Sequence, residues 1–177
     1  MGVRRRSIRL GCVLVLAGLL GLPNVGLPDG GGGGGGAGGG GGGGSMTRES
    51  PEYTAAVKAI KAGDFQKAIP LLEGVTAREP QNADAFNWLA YATRRNGDPA
   101  ASIPIYEKAL AIDPKHRGAH EYIGEAYLSL DNLAKAKEYL VRLDKLCFFS
   151  CEEYRDLKKA VEAYETSGGR IKPTAAR

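Results

Sequence analysis

The chain has 177 residues, 43% hydrophobic and 25% charged, with 24 basic against 20 acidic side chains. The excess of base is confined to the start: Arg4, Arg5, Arg6 and Arg9 lie there, and from Met46 onward 20 basic residues face 19 acidic ones, with the signs interspersed. A domain so close to neutral has no electrostatic footprint for a phosphate backbone, which excludes nucleic acid as the expected partner, and its length suits a single core.

Residues 1–28 open with a cationic stretch, Arg4 to Arg9, followed by an uncharged apolar run from Leu10 to Leu22. That run has the length of a signal-peptide core and falls short of the roughly 20 residues that span a bilayer. The segment is read as an export signal that places the protein in the periplasm. Because no Ala-x-Ala cleavage site follows, the alternative is an uncleaved inner-membrane anchor with the rest facing the periplasm, and membrane contact is expected through this segment alone. Residues 29–48 form a spacer. Between 30 and 44 every residue but Ala37 is glycine, 14 of the 26 in the chain. With no side chains to pack and much entropy to lose on ordering, the tract predicts a flexible tether.

From residue 49 the sequence repeats itself every 34 residues. Gly63-Asp64 recurs as Gly97-Asp98 and, at the next step, Asp131-Asn132; Ala68 recurs as Ser102 and Ala136; Pro80 as Pro114; Pro70 as Pro104; Leu72 as Tyr106 and Leu140. Phe86, His120 and Tyr154 share one register, and Leu89, Ile123 and Leu157 another. Each unit reads as two helices. In the second, Phe86, Leu89, Ala90 and Thr93 lie three and four apart and make one helical face. Gly97 stands at a left-handed C-cap, Asp98 at an N-cap and Pro99 in a first turn, where its missing N–H costs little. Asp113-Pro114 then stops the second helix of that unit.

At these residues the chain resembles the tetratricopeptide repeat family. The second unit matches its pattern at Phe86, Leu89, Ala90, Gly97, Ser102, Tyr106, Ala109 and Pro114. The third matches at Ile123, Gly124, Tyr127, Ala136 and Tyr139, but ends in Cys147-Phe148-Phe149-Ser150 where the proline turn belongs. The first is weaker, with Glu52 in the aromatic slot. The resemblance covers residues 49–166 and implies an all-α, right-handed superhelical solenoid of three helical hairpins. A C-terminal capping helix follows, with a polar face at Glu152, Glu153, Arg155 and Lys158, ahead of a disordered tail at 167–177.

In that family the first helix of each unit lines a concave groove. The resemblance therefore assigns to a groove Tyr53 and Val57, then Asn87, Tyr91 and Arg94, then Glu121, Glu125 and Leu128. Such a mixed surface suits an extended peptide or a partner helix. The implied function is a protein-binding scaffold without catalysis, in the role of a cell-envelope assembly factor. The grip that one branch of the family keeps on C-terminal carboxylates does not carry over, because Tyr53, Val57, Gly118 and Tyr122 occupy its basic positions.

No constellation for catalysis or for a cofactor is present. His116 and His120 have zinc-ligand spacing, but His116 follows Pro114-Lys115 and is expected to precede the helix, while His120 takes the aromatic packing slot. Cys147 and Cys151 leave two readings open: a disulfide across the turn into the cap, or two buried thiols beside Phe148 and Phe149. They also support the alternative function, a cysteine-based redox or metal-handling accessory.

Overall fold

The computed structural model describes residues 50–170 and Lys172. The leader of residues 1–28, the spacer of 29–48 and residues 173–177 lie outside the described residues. Seven helices and no strand are found among those described: α1 (Pro51–Lys61), α2 (Phe65–Arg78), α3 (Ala83–Arg95), α4 (Pro99–Ile112), α5 (Arg117–Ser129), α6 (Leu133–Leu146) and α7 (Glu152–Thr166).

The first six helices begin in the same way. Ser50, Asp64, Asn82, Asp98, His116 and Asn132 each accept, through the side chain, the backbone N–H three residues on, which satisfies one of the donors a helix start leaves without a partner. Inside each hairpin the turn is also the same. Gly63 and Gly97 take φ of 77° and 105°, and the next N–H reaches back five residues, Asp64 to the Ala59 carbonyl and Asp98 to that of Thr93. This is the closure that a left-handed residue after a helix permits. In the third hairpin Asp131 fills the position at φ 60°, and Asn132 donates to the Tyr127 carbonyl at 2.8 Å. Asp is one of the few side chains that tolerate this region. Its carboxylate is held there by the Tyr164 hydroxyl (3.0 Å) and by Lys172 Nζ (2.8 Å).

The helices form two layers. Consecutive odd-numbered helices touch one another, α1 with α3, α3 with α5 and α5 with α7, whereas among the described residues α2, α4 and α6 touch only odd-numbered ones. The odd helices are thus the inner layer of a curved stack and the even ones the outer. Two apolar clusters fill the space between. One gathers Tyr53, Ala56, Leu72, Val75 and Leu89 from the first three helices; the other gathers Tyr106, Ile123, Leu128, Leu143, Leu157 and Val161 from the last four. Ala68, Ser102 and Ala136, one register apart, are fully buried. Pro70 and Pro104 lie inside α2 and α4 on the outer side, where both are exposed and the helices run on through them. The chain is an all-α helical repeat in which α7, docked on α5 and α6, closes the stack. No helix among the described residues is long and apolar enough to cross a membrane.

Candidate functional site

The middle of the inner layer is where polar and aromatic side chains concentrate. Arg94 on α3 reaches across to α5 and donates to Glu125 Oε2 at 2.8 Å. Its guanidinium lies 5.5 Å from the Tyr91 ring centre and 6.0 Å from that of Tyr122, and those two rings are 4.9 Å apart. Trp88 stands edge-on to Tyr91 at 5.6 Å, and Phe65, at the start of α2, does so at 6.2 Å. Arg95 lies over both Phe65 (5.1 Å) and Tyr91 (5.8 Å). The face is therefore a run of rings across three helices, with one guanidinium neutralised inside it and a second, half-buried, at its side.

Burial governs the ionisation here. Loss of water opposes the charge on Arg94, but Tyr106 and Glu125 more than offset this and hold the guanidinium above its ordinary pKa. The Tyr106 hydroxyl, fully enclosed, is pushed far up by burial, against the pull of Arg94. Tyr122 is raised first by burial and then by the carboxylates of Glu121 and Glu125. A salt bridge cut off from water in this way loses a partner at high cost, so Arg94 and Glu125 act as one structural pair.

Of the residues assigned to the groove by register, Tyr53, Asn87, Tyr91, Arg94 and Glu121 are all less than a tenth exposed, and Glu125 is half-buried. They make a floor rather than a rim. Leu128 is a correction: it is fully buried in the cluster that includes Leu157, Val161 and Tyr164 of α7, so its side chain has no surface to offer a partner. Asn87 Oδ1 is buried with no hydrogen-bond partner among the described residues. The half-buried Trp88, Tyr122 and Arg95 are the accessible counterparts of this floor, and register reasoning passed over them as contacts. A signal was present, since Trp88 and Tyr122 stand one 34-residue step apart.

Both histidines have other partners. His116 caps α5 by accepting from Ala119 N–H through Nδ1, and its Nε2 meets Asp84 at 3.0 Å. That hydrogen bond, opposed by partial burial, holds the Asp84 carboxyl below the usual range. His120 is buried against Tyr139, ring centres 5.8 Å apart, with Nε2 on the Pro114 carbonyl at 2.9 Å. No group of three or more His, Cys, Asp and Glu among the described residues could hold a metal. The sulfurs of Cys147 and Cys151 lie at bonding distance, with Cα atoms 5.5 Å apart.

Two models described as tetratricopeptide repeat match the chain, at residues 53–117 and 94–165. No curated protein matches at a significant level. Among solved structures, the chain is similar to the Yersinia enterocolitica type III secretion translocator chaperone SycD, at 18% identity over 66% of this chain and 83% of that one, TM-score 0.60. It is similar to the same chaperone in complex with a peptide of the translocator YopD, at 18% identity over 66% and 88%, TM-score 0.57. It is similar too to the first TPR of Spaghetti (RPAP3) bound to an HSP90 peptide, at 22% identity over 65% and 90%, TM-score 0.58. At such identities the likeness is one of fold.

Proposed function

With residues 53–165 matched by its models, the chain belongs to the tetratricopeptide repeat family, and on that premise we propose that its inner face binds an extended peptide or a single helix of a protein partner. The observation that carries the reading is the run of rings from Phe65 through Trp88 and Tyr91 to Tyr122, bridging α2, α3 and α5 beside the Arg94–Glu125 pair. Aromatic side chains give large contact area at small entropic cost and concentrate binding energy. Binding here is shape and polar complementarity with no chemistry. Two of the similar structures hold peptides, of YopD and of HSP90, which supports the class of ligand and leaves its sequence to experiment.

We place this activity in the cell envelope, as an assembly or holding factor. The cationic start and apolar run of residues 1–28 support that location, and so does a cysteine pair suited to an oxidising compartment. A reporter joined after Ser45 checks it, because activity confined to the cytoplasm overturns the export reading.

The binding test is selection of displayed peptides on the full chain, followed by titration against Trp88→Ala and Arg95→Glu, each checked for an unchanged helical spectrum. The expected result is at least about a tenfold loss of affinity, the equivalent of about 1.4 kcal/mol. Selected peptides that bind both variants as well as the parent would move the site elsewhere.

A further inference from the structure

Phe148 and Phe149 belong neither to the core nor to the inner face. They are 92% and 87% exposed, whereas the other exposed large apolar side chains among the described residues, Leu130 and Val141, stand at 40% and 53%. The two rings pack edge to face on each other, 4.9 Å apart, at the tip of the loop between α6 and α7. The base of that loop is narrow, with Cys147 and Cys151 Cα atoms 5.5 Å apart and Arg155 Nη1 donating to the Ser150 carbonyl at 3.1 Å. A phenylalanine can take 150–250 Å² out of water, so two left in solvent on an anchored base form an unpartnered knob.

Beside the knob, at the C-terminal ends of α4 and α6, lies a pocket of about 370 Å³ lined by Leu110, Pro114, His120, Arg142, Lys145 and Leu146. Two leucines, a proline and an imidazole make its walls apolar. Arg142 and Lys145, both exposed, give it a basic rim. The knob is followed by Glu152 and Glu153 at the start of α7, so its flank carries the opposite charge. Glu153 also stands 3.6 Å from Arg117, whereas no ion pair involves Glu152 among the described residues.

We propose that Phe148 and Phe149 of one chain insert into this pocket on a second copy while the second copy returns the contact, giving a two-fold dimer. A two-fold contact needs donor and receptor on one continuous surface, and the pocket residues Lys145 and Leu146 lead directly into the knob. Four rings and their rims bury on the order of 600–1,000 Å², below the size of a standard interface, so the dimer is a weak one with a Kd of micromolar order.

Sedimentation velocity on the full chain, from about 5 to about 200 μM to bracket such a Kd, reads the proposal. The expected result is a concentration-dependent shift from monomer to dimer. Phe148→Asp together with Phe149→Asp keeps the chain monomeric throughout with its melting temperature unchanged, since neither ring supports the fold. Lys145→Glu raises the Kd at least about tenfold, and Lys145→Glu combined with Glu152→Lys recovers most of that loss. A parent chain that stays monomeric overturns the proposal, as does a dimer indifferent to the Phe pair or to Lys145→Glu. The leader is common to every variant, so association through it survives the Phe substitutions and counts against the knob. Flotation with phosphatidylcholine vesicles that depends on the Phe pair, in a chain that does not dimerise, assigns the knob to a lipid surface instead.

Discussion

Of the three turns that carry the chain from an outer helix to the next inner one, the last two do so by different chemistry. Between α4 and α5, Asp113 and Pro114 stop the helix, His116 N–H closes the turn on the Asp113 carbonyl (3.1 Å), the His116 side chain caps α5, and His120 Nε2 pins the Pro114 carbonyl. Between α6 and α7 none of this survives. There is no proline, Ser150 sits at φ 33°, α7 has no side-chain cap, and the turn spans one residue more, from Cys147 to Cys151. Yet Leu157 lies one repeat after Ile123, and both are fully buried. Packing against α5, rather than the turn, therefore sets where α7 docks.

The junctions differ most sharply at one residue. Ala90 on α3 is fully buried, and its counterpart on α5 is Gly124. A Cβ at Gly124 would come within 2.6 Å and 2.8 Å of the Leu157 Cδ atoms. Leu157→Ala should destabilise the chain by about 2–5 kcal/mol, as a fully buried leucine does on leaving a cavity. Gly124→Ala should destabilise the parent by about 1–3 kcal/mol through crowding. In the Leu157→Ala background its sign should reverse, because the clash is gone and Ala exceeds Gly in helix propensity by about 1 kcal/mol. Thermal melts of the four chains decide it. Additive effects would mean that α7 is docked by something other than this contact.

The same contrast explains what could be read in advance. Helices, hairpin turns and capping residues follow from local rules that repeat every 34 residues, so their positions were legible down to the Gly63 and Gly97 turns. Leu128 was not, because register gives the direction of a side chain on its own helix but not what another helix lays over it. Arg94 and Glu125 were each legible as inner-face residues; their pairing was not, since it depends on how far apart α3 and α5 settle. Trp88 was passed over as a contact, and Tyr122 was weighed only as the occupant of a position where one branch of the family keeps a basic residue, although their 34-residue spacing marked both.

A bridge between Cys147 and Cys151 would close the second junction covalently where the first has a proline turn, and would make that junction alone sensitive to reduction. We propose that Cys147 and Cys151 are bridged in the protein as isolated from an oxidising compartment. A loop this short constrains the unfolded chain by about 2 kcal/mol, so Cys147→Ser with Cys151→Ser should lower stability by about that amount, with reduction doing the same to the parent. Thiol labelling after denaturation should find neither cysteine until a reductant is added. Two reactive thiols without reductant would leave both junctions to packing alone.

The first junction should instead respond to mild acid, through His120. The ring donates from Nε2 to the Pro114 carbonyl, while Nδ1 is buried with no partner among the described residues. A second proton would thus place a charge where nothing accepts it. Burial is the main cause of a pKa below the usual histidine value; the charges of Arg142 and His116 add to it, and the Pro114 carbonyl and Asp113 oppose it. The unfolded chain takes up a proton near pH 6.5 that the folded chain refuses. Stability is accordingly full above that pH and declines as the pH falls below it, levelling once the folded form also protonates. A single proton limits the slope to about 1.4 kcal/mol per pH unit. His120→Phe, which restores the ring found one repeat earlier at Phe86, should flatten the profile between pH 7 and pH 5, a window above the range where Asp84 titrates. Denaturant midpoints across that window measure it, and a profile as steep in the variant as in the parent would assign the acid sensitivity to another group.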